Sequence, residues 1–173
     1  MVRFPEGFGL EVLASQPPRA AFRSGQPRVD QWLSQQALQS QDKRLSSTRV
    51  LLSPDLEVAG YFTLASGQVD FGALPAELAK KLPKRALPVA VLAWLGVAEE
   101  YQGRGLGTKL LAQALSDCSL AGKTFPFVAV LLDCVDEAAK QFYSRWDFRE
   151  LPGRPMRLFL SARELKAMVG AGE

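Results

Sequence analysis

The residues best placed for chemistry in this 173-residue chain lie in the string YQGRGLGTKLL, residues 101–111. Gly103, Gly105 and Gly107 fall between a predicted buried strand and a predicted amphipathic helix. Glycines at such a turn let a ligand approach the backbone amides closely, and the start of a helix carries a partial positive charge. We therefore expect the turn to bind an anion, with a pyrophosphate as the natural ligand.

Two common phosphate-binding patterns do not fit this turn. A P-loop has four residues between its first glycine and a Gly-Lys pair, whereas three residues separate Gly103 from Gly107, and Thr108 precedes Lys109. The dinucleotide pattern G-x-G-x-x-G needs a third glycine where Leu110 stands. For a glycine turn considered alone, a tight connection that binds nothing is the alternative interpretation.

The composition excludes several mechanisms. The chain contains no histidine, which removes the usual Ser-His and Cys-His nucleophiles and argues against a zinc site, so we predict no metal. Its two cysteines, Cys118 and Cys134, are predicted to be buried, reduced thiols. The net charge of +3 is compatible with an anionic ligand or a nucleic acid without requiring either.

Membrane association is not predicted. No apolar run reaches the ~18 residues of a membrane span, and the first residues lack the continuous apolar stretch of a signal peptide. We therefore expect a cytoplasmic protein.

Periodicity and turn signals place the glycine turn within an alternating series of strands and helices. The first strands are expected to form an antiparallel meander, and a βαβ unit follows. The predicted strands are 10–14, 48–52, 58–69, 89–97, 127–132 and 157–160, and the predicted helices are 27–44, 74–82, 106–120 and 135–146. Ser161 and Glu164 have the spacing of a capping box for a last short helix.

Several motifs in order resemble the GNAT superfamily of N-acetyltransferases. Gln102, Gly105 and Gly107 fit its pyrophosphate signature Q/R-x-x-G-x-G/A, and Val97 precedes Gln102 by the usual five residues. The string DEAAKQFYSRWDF is similar to the family's second helix and the start of the next strand. The resemblance covers roughly residues 89–160, with Glu99 where proline is common and Asp147 where many members have glycine.

This resemblance implies the fold, the cofactor and the cofactor-binding residues. It implies an α/β (α+β) GNAT fold, one domain over residues 1–173, with a central mixed, mainly antiparallel sheet, a splayed strand pair and flanking helices. Acetyl-CoA would be the acetyl donor. Its pantetheine amides would pair with the backbone of Leu95 and Val97, and its pyrophosphate would bind the turn formed by Gln102, Gly103, Arg104, Gly105, Leu106, Gly107 and Thr108.

The resemblance also assigns a general acid. Tyr143 matches the family tyrosine that lies near the cofactor sulfur. A tyrosine beside Phe142 on a helix would on its own usually be core packing, and the family match favours catalysis instead. A thiol leaving group titrates near ~8.5 and benefits from a proton donor, whereas an α-amino group near ~7.7–8.0 is partly neutral at pH 7 without a strong base. The candidate bases for the acceptor amine are Glu99, Glu100 and Asp133. The alternative is that they are surface or structural carboxylates.

The acceptor is suggested by the opening FRSGQPRVDQWLSQQAL, which resembles the tRNA-acetylating toxin branch of the family. Phe22, Ser24, Gly25, Val29, Asp30, Trp32, Leu33 and Ala37 can be laid on the pattern of that branch. The resemblance implies aminoacyl-tRNA as acceptor, blocked translation, a ribbon-helix-helix antitoxin and a homodimer. A tRNA-binding surface would use Lys43, Arg44, Arg49, Lys80, Lys81, Lys84 and Arg85. Further along the sequence it would also include Arg145, Arg149 and Arg154.

Two other functions stay open at this point. One is a GNAT enzyme that acetylates a small-molecule amine or a protein N-terminus. The other is a catalytically silent CoA-binding module that acts through partner contacts.

Overall fold

The computed structural model describes residues 2–170. Its strands are β1 (Gly9–Val12), β2 (Ser47–Leu52), β3 (Val58–Asp70), β4 (Ala86–Val97), β5 (Ala129–Asp133), β6 (Arg149–Leu151) and β7 (Arg154–Ser161). Its helices are α1 (Pro27–Gln31), α2 (Ala37–Asp42), α3 (Ala76–Ala79), α4 (Leu106–Gly122), α5 (Glu137–Ser144) and α6 (Ala162–Gly170). A π-helical segment, Trp32–Gln36, joins α1 to α2, and 3₁₀ turns cover Phe71–Ala73 and Glu99–Tyr101.

The strands form one sheet in the order β1-β2-β3-β4-β5-β7-β6. The pairs β1–β2, β2–β3, β5–β7 and β6–β7 are antiparallel, whereas β4 and β5 are parallel. A parallel pair needs a crossover connection, and the segment between β4 and β5 contains α4. The predicted mixed, mainly antiparallel sheet with flanking helices is therefore confirmed.

The β4–β5 pairing is short. Its register joins Val89, Ala90 and Val91 to Ala129, Val130 and Leu131, whereas β4 itself continues to Val97. Beyond Val91, β4 therefore extends past its register with β5, as expected for the splayed strand pair. Leu95 and Val97, which the sequence assigned to the cofactor's amides, lie on this last part of β4.

The chain divides into two compact units, each with its own apolar core. The first unit comprises residues 1–65 and 92–116, and the second comprises residues 66–91 and 117–173. In the first, Tyr61, Phe62, Leu110 and Leu111 are at most 1% exposed. In the second, Val89, Leu131 and Phe159 belong to one buried cluster. The predicted single domain over residues 1–173 stays a prediction.

Most predicted elements are present with shifted ends, and the differences have local causes. The predicted helix 27–44 is interrupted by a π segment, where the Ala37 amide bonds to the Trp32 carbonyl. The predicted helix 74–82 shrinks to α3, which follows a 3₁₀ turn. Strand β6 was not predicted, because a three-residue strand with two exposed charged residues carries almost no apolar period.

Within residues 2–170, no helix is long and apolar enough to cross a membrane.

Candidate active site

The glycine turn has the geometry that a phosphate requires. Gly103 and Gly105 both have φ of +77°, and a Cβ added to either would meet no atom within 4 Å. Helix α4 begins directly afterwards at Leu106, whose side chain is 1% exposed and anchors the first turn in the core. The first amides of a helix have no acceptor within the helix, so those of Leu106, Gly107 and Thr108 can donate to a ligand. The residues present therefore fit a pyrophosphate.

Arg104 is the charged side chain of the turn. Its guanidinium lies over the Tyr101 ring at 5.3 Å from the centroid and donates to the Glu100 carbonyl at 3.3 Å. These contacts are made on an exposed surface, so the side chain can move to a phosphate at small cost. Its assignment to the cofactor stays a prediction.

Gln102 is engaged within the protein. Its side-chain nitrogen donates to the carbonyl of Ser24 at 2.8 Å and to that of Val97 at 2.9 Å. An amide NH₂ has two protons, so both are used, one by the end of β4 and one by the loop that contains Ser24. The signature glutamine side chain thus fixes one end of the turn, and its assignment to the cofactor, which would use its backbone, stays a prediction.

The opening motif acquires a physical explanation in the first unit. Phe22 is 3% exposed and packs edge-on against Tyr61, with ring centroids 5.5 Å apart. Gly25 has φ of +94°, and a Cβ there would lie 3.1 Å from the Glu99 carboxylate. The left-handed backbone therefore favours glycine at this position, and any larger residue would also displace the Glu99 carboxylate.

Further motif residues fix the start of α1. Ser24 donates to Oδ1 of Asp30 from its backbone amide at 2.9 Å and from its hydroxyl at 2.7 Å. Val29 packs so closely on β4 that a Cβ at Gly96 would lie 2.6 Å from its Cγ1. The Tyr61 hydroxyl donates to the Val29 carbonyl at 2.6 Å. The motif is thus a folding pattern that holds α1 against β3 and β4.

Two tryptophans form a feature that the sequence did not indicate. Trp32, at the start of the π segment, stacks on Trp94 of β4 with centroids 5.6 Å apart and planes at 15°. Its indole nitrogen donates to the Thr63 hydroxyl at 3.0 Å. No local sequence pattern connects Trp32 to Trp94, which lie 62 positions apart.

Tyr143 lies in the second unit, in the last turn of α5. The N-terminus of this helix is capped by Asp136, whose carboxylate accepts from the Ala139 amide at 2.8 Å. Tyr143 is 8% exposed and lies between the rings of Phe142 and Phe148, at 5.1 and 5.9 Å. Burial, and secondarily the charge of Cys134, raises the pKa of its phenol well above the ordinary value. The hydroxyl therefore stays protonated at neutral pH and can donate.

Neither cysteine is suited to act as a nucleophile. Burial raises the pKa of the Cys118 thiol to about 12 and that of Cys134 to about 11. Both thiols are therefore protonated at neutral pH, whereas nucleophilic attack requires the thiolate. In the described part of the chain, no group of three His, Cys, Asp or Glu side chains could hold a metal ion.

The candidate bases have structural contacts. Asp133, at the end of β5, pairs with Arg157 through two hydrogen bonds of 2.8 and 3.1 Å. Glu99 receives the close approach of Gly25, and its backbone amide donates to the Arg23 carbonyl at 2.7 Å. Such contacts favour the structural interpretation of both carboxylates.

The predicted tRNA-binding residues fall into two groups. Lys43, Arg44 and Arg49 lie in the first unit, where Lys43 and Arg44 are exposed and Arg49 is half-buried on β2. In the second unit, four exposed cations follow α3 within six residues: Lys80, Lys81, Lys84 and Arg85. Of the three predicted arginines further along the sequence, Arg149 forms an ion pair with Glu164.

Comparisons with known proteins define the class. The family model described as acetyltransferase (GNAT) domain matches residues 59–150. The chain belongs to this family. It is also 33% identical, over 87% of its length and 89% of the relative's, to the tRNA-acetylating toxin of Mycobacterium tuberculosis (strain ATCC 25618 / H37Rv).

Solved structures share the fold. AtaT complexed with acetyl-methionyl-tRNAfMet superposes with a TM-score of 0.84 at 22% identity, covering 93% of this chain and 98% of that chain. A mutant AtaT toxin bound to the C-terminus of the antitoxin AtaR and acetyl-CoA has a TM-score of 0.78 at 17% identity, covering 94% and 98%. The GNAT fold predicted from the sequence is therefore confirmed.

Proposed function

We propose that this protein transfers the acetyl group of acetyl-CoA to the amino group of aminoacyl-tRNA and thereby blocks translation. The observation that carries the proposal is the 33% identity to a tRNA-acetylating toxin over 87% of the chain. The opening motif, whose residues hold α1 against β3 and β4, supports the same branch of the family. Family membership supports the acetyl transfer itself.

Acetyl-CoA supplies the activated thioester. In this proposal its pyrophosphate is held by the amides from Gly103 to Thr108, where two positive-φ glycines leave open space before α4. The backbone of Leu95 and Val97, past the β5 register, pairs with the pantetheine amides. Arg104 adds a charge-assisted contact to a phosphate oxygen.

Tyr143 is the proposed general acid. Its raised pKa keeps the phenol protonated throughout the working range, so its proton is in place for the thiolate that leaves as the new C–N bond forms and the C–S bond breaks. The phenol then regains a proton from water. The amine attacks in its neutral form. Because an α-amino group titrates near ~7.7–8.0, its surplus proton can pass to water without a histidine.

The proposed partners follow from the same relationship. The exposed cations near residues 43–49 and 80–85 bind tRNA phosphates, which supply affinity without base specificity. A ribbon-helix-helix antitoxin neutralises the enzyme, which works as a homodimer in the cytoplasm. The complex of AtaT with the C-terminus of AtaR supports an antitoxin partner in general terms.

The experiment offers radiolabelled acetyl-CoA and purified enzyme to total aminoacylated tRNA, to the same tRNA after deacylation, and to a panel of polyamines, aminoglycosides and peptides. Label on charged tRNA alone is the expected result. Label on a small amine or a peptide would keep the acetyltransferase and refute the tRNA acceptor. No label on any acceptor, with acetyl-CoA bound, would favour the silent CoA-binding module.

A further inference from the structure

We propose that Ser24, Asp30 and Gln102 are positioning residues that join the start of α1 to the pyrophosphate turn, so that acetyl-CoA binding and the order of the clasp loop are coupled. The clasp loop is defined as residues 22–26. The inference rests on the proposed binding of acetyl-CoA at the turn, but not on the identity of the acceptor.

The first link is Gln102, the residue immediately before Gly103. Its side-chain nitrogen spans two carbonyls, of Ser24 in the clasp loop and of Val97 at the end of β4. One end of the turn is thereby fixed both to the strand it follows and to a loop 78 positions away in sequence. A side chain at position 102 without two N–H donors could not bond to both of these segments.

The second link lies in the 3₁₀ turn Glu99–Tyr101. The Glu99 amide donates to the Arg23 carbonyl at 2.7 Å, and the Glu99 carboxylate lies against Gly25. The clasp loop therefore contacts the segment leading into the glycine turn at two further points. Its position and that of the turn are set together.

The third link fixes the loop's own shape. Oδ1 of Asp30 accepts from both the amide and the hydroxyl of Ser24, at 2.9 and 2.7 Å. The Ser24 hydroxyl oxygen also accepts from the Gln26 amide at 3.1 Å. Because the Ser24 carbonyl is what Gln102 holds, the orientation of that carbonyl depends on Asp30, a residue of α1.

This chain of hydrogen bonds gives Asp30 an effect on a ligand that it is not predicted to touch. Loss of its carboxylate removes two hydrogen bonds that orient Ser24. The hydrogen bond from Gln102 to the Ser24 carbonyl is then weakened, and the turn amides can depart from the geometry that suits a pyrophosphate. By linkage, acetyl-CoA should in turn stabilise the clasp loop by the same factor.

The test is a double-mutant cycle on acetyl-CoA affinity, measured by calorimetry on the full chain. Asp30→Ala and Gln102→Leu are each expected to raise the Kd roughly threefold to tenfold, the range for one or two lost hydrogen bonds. The acetyl-CoA Kd of the double variant should be no higher than that of the more affected single variant, because both changes break the same chain of hydrogen bonds. Asp30→Asn keeps the oxygen acceptor for both Ser24 donors, so its acetyl-CoA Kd should remain within about twofold of wild type.

A second readout separates positioning from general destabilisation. Acetyl-CoA should slow hydrogen exchange at the amides of Ser24 and Glu99 in the wild type, and much less in Asp30→Ala. If Asp30→Ala does not fold, Ser24→Ala replaces it, because that change removes only the hydroxyl contacts. The proposal would be overturned if the Kd increases of the two single variants multiplied in the double variant. It would also be overturned if a folded Asp30→Ala protein had an unchanged acetyl-CoA Kd. A failure to acetylate charged tRNA would refute the acceptor and leave this coupling standing.

Discussion

At the scale of single residues, the proposed chemistry depends on a buried phenol, in a chain without histidine. Tyr143 contacts two phenylalanine rings edge-on and is 8% exposed. Its environment explains both why it packs as a core residue and why its proton is retained. The two roles are compatible, since only the hydroxyl takes part in the proposed chemistry.

Removal of that hydroxyl should separate the two roles. Tyr143→Phe keeps the ring and its packing, so the fold and the acetyl-CoA Kd should be unchanged while kcat falls ~10²–10⁴-fold, the usual contribution of a general acid. Steady-state kinetics and calorimetry measure the two quantities. Tyr101→Phe, which loses a hydroxyl bonded to Glu57, is the matched control and should stay within about threefold. A kcat of Tyr143→Phe within that same range would make Tyr143 a packing residue only.

The pH profile offers an independent test of Tyr143. The active form of a general acid is the protonated one, and burial raises the pKa of this phenol above its ordinary ~10. Activity should therefore rise through the pKa of the acceptor amine, near ~7.7–8.0, and show no fall on the alkaline side up to about pH 9.5. Single-turnover rates, taken before the aminoacyl ester hydrolyses, measure this profile. A descending limb below pH 9 that disappears in Tyr143→Phe would contradict the raised pKa.

At the scale of elements, the glycine turn and α4 form the proposed cofactor site. The open space at Gly105 is what a phosphate would fill, and the helix start supplies amides and a positive potential.

A matched pair of glycine variants tests this claim. Gly105→Asp places a carboxylate where the phosphate should bind, so calorimetry should show at least a tenfold rise in acetyl-CoA Kd. Gly153→Asp is the control, because Gly153 has φ of +74° and equally open surroundings but lies in the β6–β7 turn. The two variants share the backbone penalty of a side chain at positive φ. Equal acetyl-CoA Kd values for the two variants would refute the assignment of the pyrophosphate to this turn.

What the sequence could predict follows the range of the interactions. Apolar strands, the amphipathic α4 and the glycine turn have local signals, and all three are present. The double use of Gln102 and the Trp32–Trp94 stack depend on segments far apart in sequence, so no local pattern indicates them. The π segment was missed because its i→i+5 bond, from the Ala37 amide to the Trp32 carbonyl, has no sequence pattern that distinguishes it from an α-helical one.

At the scale of the whole molecule, the chain combines a net charge of +3 with exposed cations concentrated at residues 80–85. Phosphate contacts by such side chains release counterions, so tRNA binding should weaken steeply with salt. Arg149 and Arg157, by contrast, are held by carboxylates of the protein itself. The cluster at residues 80–85 is therefore the better candidate for phosphate contacts.

Charge reversal tests the role of that cluster. Lys84→Glu with Arg85→Glu should raise the KM for charged tRNA and flatten its salt dependence, while the acetyl-CoA Kd stays unchanged. Arg163→Glu with Lys166→Glu, two exposed positions on α6, is the control with the same change in net charge. Equal rises in KM for both pairs would reduce the effect to overall charge and exclude a local tRNA contact at residues 84 and 85.

The central claim concerns the bond that is formed, and mass spectrometry tests it most directly. Charged tRNA is incubated with enzyme and acetyl-CoA, digested with nuclease, and its terminal aminoacyl-adenosine analysed. We expect one acetyl group on the α-amino nitrogen of the amino acid, absent when acetyl-CoA or the enzyme is omitted and strongly reduced with Tyr143→Phe. An unmodified aminoacyl-adenosine from an enzyme that binds acetyl-CoA, or an acetyl group on a nucleobase, would contradict the account.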